Sequence, residues 1–228
     1  IMAEKTKLWY LQNFNMLEGM SPKMMMELAQ NTSMQNNSKK EIIYFPEDAS
    51  NTIYFLKAGK IKIYRLSEDG KTTTLQLLGP GEIFGESAIL GQETHDNIAE
   101  VVEDAVVCAM DKRDFQDLME KSPKLTLSVN KFIGWRLRKI QAHVEDLVFK
   151  NASQRITSFL HRYVETFGKK MVDGWMVRPF LTHQEIADLT ATARQTVNQV
   201  LNELAEQDVI KFSHRFLQLK GDLDQLES

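Results

Sequence analysis

An α+β architecture is predicted for this chain of 228 residues: an N-terminal small β-barrel or sandwich, one long helix and a C-terminal winged helix-turn-helix. Three observations predict it. Short β runs separated by turn signals fill Lys39 to Met110, a pattern of small barrels and sandwiches. After Pro123, the apolar residues Ile133, Leu137, Ile140, Val144 and Leu147 are spaced 4, 3, 4, 3, which is an a/d heptad seam. After Leu181, two short helical patterns are joined by a turn of about four residues, and the second pattern is amphipathic.

Composition sets the frame. Hydrophobic residues make up 43% and charged residues 26%, with a mean hydropathy of −0.34. These values suit a soluble globular chain of one or two core-forming domains. No apolar run approaches the ~18 residues that a membrane span needs, and Ile1-Met2-Ala3-Glu4-Lys5 lacks the apolar core of a secretory signal. Cys108 is the only cysteine, which excludes an intrachain disulfide framework or a thiolate iron–sulfur cluster. A cytoplasmic location is expected.

Net charge is −3 overall but unevenly spread: −6 over residues 1–122, +4 over 123–150 and −1 over 151–228. No segment is basic enough to hold nucleic acid by charge alone. Duplex recognition would need a local patch on a shaped element.

The first ~35 residues read as helical and Met-rich, with Leu8, Leu11, Phe14 and Leu17 and then Met24 to Leu28 as a core stripe. Glu41 to Phe45 reads as a strand stopped by Pro46. Thr52 to Leu56 precedes Gly59, and Lys60 to Arg65 alternates strictly. Asp69-Gly70 is a hairpin signal, followed by Thr72 to Leu78, the turn Gly79-Pro80-Gly81 and a strand over Ala99 to Met110. Phe132, Trp135 and Phe149 lie off the heptad seam, where they can pack back on the β domain. The seam fits a parallel coiled-coil dimer; a core helix of a monomer is the other reading of two heptads.

A helical stretch follows from Arg155 to Phe167, broken by Gly168 and Asp173-Gly174, and then the short extended segment Met176 to Phe180. Thr182-His183-Gln184-Glu185 is a capping box opening a helix that buries Ile186, Ala187 and Leu189. The next helix, Thr192 to Leu204, buries Val197, Val200, Leu201 and Leu204. Its opposite face carries Arg194, Gln195, Asn198, Gln199 and Asn202. Arg can chelate guanine O6/N7, and Gln or Asn adenine N6/N7, with two hydrogen bonds each. An ordinary solvated face would carry Glu–Lys pairs. Two structural alternatives stand beside this reading: Gln195 serving a second capping box begun by Thr192, and Arg194 pairing with Glu185 or Asp188. Downstream, Asp208 to Leu219 reads as a hairpin wing with Lys211, His214 and Arg215 placed for phosphates.

These features resemble the CRP/FNR family of bacterial transcription regulators. The resemblance runs from about Asn13 to Leu219. It is strongest in Leu181-Thr-His-Gln-Glu-Ile-Ala, Thr192-Ala-Arg-Gln-Thr-Val-Asn and Gly81-Glu-Ile-Phe-Gly-Glu. It implies a jelly-roll-like β-roll of the cyclic-nucleotide-binding type as the sensor domain over 1–122, a dimerisation helix over 123–150 and a DNA-binding domain over 151–228. Implied partners are a second copy, a near-palindromic duplex operator and RNA polymerase, with no membrane. The family's arginine-glutamate-threonine signature is matched by Arg194 and Thr196, with Gln195 replacing the acid. Gln199 stands where the cyclic-AMP receptor has a second arginine. Thr182, His183, Arg194, Gln195, Thr196, Asn198, Gln199, Lys211, His214 and Arg215 are the expected DNA contacts.

The same resemblance puts an effector pocket at Gly85, Glu86, Ser87, His95, Asp96 and Asn97. Gly85-Glu86 matches the family's ribose-binding pair. The Arg-Ser or Arg-Thr pair that binds the cyclic phosphate is replaced by His95-Asp96 or Asp96-Asn97, and no arginine lies between Arg65 and Arg113. A phosphate beside Asp96 without a guanidinium is repelled, and Ile140-Gln141 replace the residues that read the base. Ordinary cyclic AMP is therefore not expected, nor is haem, for which His95 and Cys108 are the only β-domain candidates. The effector is unknown, or there is none. A ligand-binding module with a protein-contact C-terminal domain is the alternative. An enzyme is disfavoured, because no nucleophile elbow, P-loop or HExxH motif occurs.

Overall fold

The computed structural model describes residues 14, 17, 20–70 and 72–226. Leu8 and Leu11 of the N-terminal stripe lie outside the described residues. Phe14 and Leu17 of the same stripe are fully buried.

The chain forms α1 (Pro22–Gln30), β1 (Thr32–Asn37), β2 (Ile42–Tyr44), β3 (Thr52–Leu66), β4 (Thr72–Leu78) and β5 (Ile83–Phe84), then a 3₁₀ turn (Glu86–Ala88) and β6 (Ile98–Asp111). Three helices follow: α2 (Lys112–Lys121), α3 (Pro123–Phe149) and α4 (Ala152–Phe167). Then come β7 (Lys169–Met171), β8 (Gly174–Val177), α5 (His183–Thr190), α6 (Arg194–Glu206), β9 (Ile210–Ser213), β10 (Phe216–Lys220) and a 3₁₀ turn over Leu223–Leu226. The chain divides into two compact units, one reaching to Leu66 and resuming over Leu75–Lys139, the other comprising Ser67–Thr74 and Ile140–Ser228.

In the first unit the strand order is β1-β6-β3-β4, with β2 on β6 and β5 on β3. The long strands β3 and β6 sort their side chains by the period of two. Ile53, Phe55, Cys108 and Met110 join Leu28, Phe115 and Leu125 in one core cluster, and Leu56, Ile61, Val101 and Val107 join Leu78 and Phe84 in another. Phe14 meets Phe55 edge-on, ring centroids 5.6 Å apart. The two runs expected on either side of Gly59 are one strand. Gly59 sits in it at φ +85°, where an added Cβ would lie 2.3 Å from the Asp104 carbonyl oxygen; β3 shifts register against β6 here, as at a β-bulge. The β region also starts earlier than its composition indicates. Thr32–Asn37 is an edge strand on β6, with Met34 opposite Cys108 and Gln35 opposite Val107. Its amides give it no strand propensity of its own.

Helix α3 carries the seam. Leu137 (55%), Ile140 (46%), Val144 (52%) and Leu147 (40%) are exposed, whereas Ile133 is partly buried against the β-roll core together with Phe132. Ile133 thus serves the core at least in part. Trp135 lies under the Lys139 ammonium at 3.7 Å. Phe149, expected to pack back, is 80% exposed.

In the second unit, α4 opens with an Asn151–Gln154 capping box and buries Ile156, Leu160, Tyr163 and Val164. The segment around Asp173-Gly174 is a β7–β8 hairpin. It completes a sheet of order β7-β8-β10-β9, which gives the wing hairpin β9–β10 a third and fourth strand. Among the described residues no helix is long and apolar enough to cross a membrane.

Candidate functional site

The C-terminal unit builds one candidate surface. Thr182 caps α5: its Oγ1 accepts from the Glu185 N–H at 3.2 Å, and the Thr182 N–H donates to the Glu185 carboxylate at 2.6 Å, the expected capping box. Helix α5 ends at Ala191 in the left-handed region (φ 49°), and α6 begins at Arg194. Its buried face is Val197, Val200, Leu201 and Leu204, the four residues its periodicity names. The other side leaves Arg194, Gln195, Asn198, Gln199 and Asn202 exposed and Thr196 half-buried.

Both structural alternatives for this face fail. The N-cap of α6 is Ala193 and carries no side-chain bond, so no second capping box forms; Thr192 Oγ1 lies 2.8 Å from Thr190 Oγ1 instead. Glu185 is spent on the cap and Asp188 accepts from Gln184 at 2.8 Å. Among the described residues Arg194 has no ion-pair partner. Gln199 is not free: its amide donates to Glu203 one turn on, at 2.8 Å, a bond that base contact would have to replace.

A groove of about 570 Å³ runs between the start of α5, Arg194 and the wing, lined by Thr182, His183, Arg194, Phe212 and His214 among others. His183 sits half-buried with its ring 6.0 Å from that of Phe212. Burial, then the nearby Arg194 charge, hold its pKa below the usual histidine value, so it meets a partner as a neutral donor and acceptor at neutral pH. At the wing, Lys211, His214 and Arg215 are all exposed. Arg215 Nε lies 3.2 Å from His214 Nε2. The result is an exposed, amide-rich helix face with three basic or imidazole side chains on the neighbouring wing. It is shaped for a groove with anionic walls.

The second candidate site lies in the β-roll. Gly85 is left-handed (φ +78°), and a Cβ there would fall 2.5 Å from the Thr52 carbonyl oxygen and 2.9 Å from the Tyr54 ring; only glycine fits. The turn presents Glu86, and here the sequence reading missed a partner. Arg136 of α3 is buried, with its Nη1 3.1 Å from the Glu86 carboxylate. The same guanidinium donates to the Ile83 carbonyl at 3.1 Å and to the Gln76 amide oxygen. Its Nε, with Ser50 Oγ, His95 Nδ1 and Asn97 Oδ1, is buried without a hydrogen-bond partner among the described residues. Arg136 follows Phe132 and Ile133 by four and three residues, on the helix side that those two turn to the core, and a charge on a core-facing helix side needs a partner.

The remaining expected pocket residues behave differently from one another. Ser87 is half-buried in the turn. His95 is buried and stacks face to face on Tyr44, centroids 3.7 Å apart and planes 8° apart; burial holds its pKa below the ordinary value. Burial also pushes the Tyr44 hydroxyl up, with Glu86, Arg136 and Asp96 all close enough to act on it. Asp96 is exposed and paired with Arg65, and Asn97 donates to Asp96 at 3.1 Å. Among the described residues no group of three or more His, Cys, Asp or Glu is placed to hold a metal ion.

Removing Arg136 should cost the β-roll. An Arg136→Met variant leaves Glu86 and the Ile83 carbonyl without their donor, a loss of about 3 kcal/mol for breaking a buried pair. Urea unfolding of the two proteins measures it; equal midpoints would mean that the pair contributes nothing.

Residues 35–122 match the cyclic nucleotide-binding domain family, and residues 154–228 match the Crp-like helix-turn-helix domain. The chain is 30% identical over 186 residues to the anaerobic regulatory protein of Bacillus subtilis, covering 81% of this chain and 78% of that one. It is also 30% identical over 169 residues to the cyclic AMP receptor protein of Thermus thermophilus, covering 74% and 75%. Among solved structures, a CooA mutant from Carboxydothermus hydrogenoformans superposes with a TM-score of 0.73 at 28% identity, over 98% of this chain and 95% of that one. A CRP-family transcriptional regulator from Thermus thermophilus gives 0.70 at 28%, over 85% and 94%.

Proposed function

This chain belongs to the CRP/FNR family of bacterial transcription regulators and carries that family's helix-turn-helix DNA-binding domain, and we propose that it works as a homodimer on a near-palindromic operator without ordinary cyclic AMP. The single observation that carries the DNA reading is the exposed Arg194–Asn202 face of α6, which among the described residues has no acid-paired arginine and has the wing beside it. In this reading Arg194, Gln195, Asn198 and Gln199 meet base edges, while Thr182, His183, Thr196, Lys211, His214 and Arg215 meet phosphates or support those that do. Residues 1–122 sense, 123–150 dimerise and 151–228 read. RNA polymerase is the partner that a bound dimer recruits or obstructs.

The exposed seam of Leu137, Ile140, Val144 and Leu147 supports the dimer. Two copies of α6 one DNA turn apart, ~34 Å, would read both half-sites.

The residues at Gly85 to Asn97 do not fit an ordinary cyclic phosphate. Glu86 is already paired with Arg136 and Asp96 with Arg65, so the two guanidinium groups that the fold brings to the site from outside residues 66–112 are engaged by the chain's own carboxylates. Cyclic AMP at 1 mM is accordingly expected to leave the melting temperature unchanged. A ligand present at a hundred times its Kd would add about 2.7 kcal/mol, which differential scanning calorimetry detects easily.

The testing experiment is selection of bound sequences from a random duplex library at fixed moderate salt, with no added ligand. A palindromic consensus is the expected outcome. An unpaired half-site would overturn the dimer, and no enrichment, repeated with cyclic nucleotides and haem, would overturn the reading.

A further inference from the structure

The turn that aims the recognition helix is held by a side chain outside the helix-turn-helix. Arg155, in the first turn of α4, donates Nε–H to the Thr190 carbonyl at 2.8 Å and Nη2–H to the Ala191 carbonyl at 2.9 Å. Its Nη1 donates to the Lys150 carbonyl at 3.0 Å, just beyond the last residue of α3. The three acceptors are carbonyls at or just past the ends of two helices, the groups a helix leaves unsatisfied. Those ends carry negative partial charge that a cation complements.

The turn is closed locally by the Thr192 N–H on the Ala187 carbonyl at 3.0 Å and by the Thr190–Thr192 hydroxyl contact, and Arg155 adds a tie from outside it. Ala191 holds a left-handed conformation that an L residue rarely adopts, and the N-cap of α6, Ala193, contributes no side-chain bond. The connection between α5 and α6 thus lacks both of the usual local devices, a glycine at the end of one helix and a capping side chain at the start of the next. A planar guanidinium can serve three carbonyls in fixed directions at once; an ammonium is a point charge without that fork. The end of α3 is further joined to α4 by Asp146. Burial pushes its carboxyl up, but bonds from Lys150 and Arg162 outweigh that and hold it below the usual range; the Arg162 contact is 2.6 Å.

We propose that Arg155 is a positioning residue for DNA reading: its guanidinium fixes the Thr190–Ala191 turn against the end of α3, and so sets the direction in which α6 presents Arg194 and its neighbours. The inference rests on the reading of α6 as the base-reading helix. Arg155 itself touches no base and acts through the turn.

The test is Arg155→Lys, which keeps the charge and removes the fork. Expected are a folded protein with unchanged oligomeric state, operator affinity at least tenfold lower, and affinity for a scrambled duplex within twofold of the parent. Hydrogen exchange in the free proteins supplies a readout that needs no DNA: amides of residues 192–195 should exchange faster in R155K, while those of β8 and β10 stay unchanged. A folded R155K with parental operator affinity, or with parental exchange in the turn, would overturn the proposal. A chain that fails to fold as R155K would make Arg155 part of the general architecture and overturn it equally. If the parent protein itself selects no duplex, the DNA reading falls and the proposal with it, whatever the exchange data show.

Discussion

A chain carrying Ile140→Glu and Val144→Glu is expected to sediment as a folded monomer and to lose at least a hundredfold in operator affinity. Both side chains are about half exposed in the single chain, so the substitutions remove little of its own core. In a parallel coiled coil they would place four carboxylates in the a/d seam, where each buried charge lacks a partner. The loss on DNA follows from linkage of the two half-sites, since joining two binding modules raises overall affinity by roughly 10²–10⁴ over either alone. Analytical ultracentrifugation at micromolar concentration, with and without operator, checks the first part, and fluorescence anisotropy the second. A variant that remains dimeric would place the interface elsewhere than on α3.

Arg194→Ala is the second large effect. A bidentate contact to guanine contributes about 1–3 kcal/mol of discrimination, hence roughly a tenfold to hundredfold loss on the selected operator and relaxed choice at one base position. Among the described residues Arg194 has no carboxylate to release, so the substitution leaves no buried acid behind and stability should change little. Gln199→Ala should cost less, because Gln199 must first give up its bond to Glu203. Lys211→Ala should weaken all duplexes alike and lower the slope of log affinity against log salt by about one. An Arg194→Ala protein with unchanged preference would remove α6 from the base-reading role.

The parts of this protein that are legible in its sequence are those where a local, repeating physical requirement writes the pattern. The buried face of α6 is one: Val197, Val200, Leu201 and Leu204 recur at helical spacing because one side of an amphipathic helix must leave water. The Thr182–Glu185 cap is another, since the helix end has unsatisfied N–H groups that a hydroxyl and a carboxylate three residues apart can serve. The period-two sorting within β3 and the wing hairpin belong with these.

Tertiary structure alone decided the rest. Arg136 meets Glu86 and Arg65 meets Asp96 across long stretches of chain. Arg155 finds the carbonyls of Thr190 and Ala191 far along the chain. The amide-rich Thr32–Asn37 becomes a strand because β6 offers it a free edge, and Ile133 turns to the β-roll core because that face of α3 is the one covered. Burial repeats with the period of the backbone and so leaves a trace in the order of residues. A charge or a carbonyl takes whichever partner the folded chain brings within reach, and that choice has no period to read.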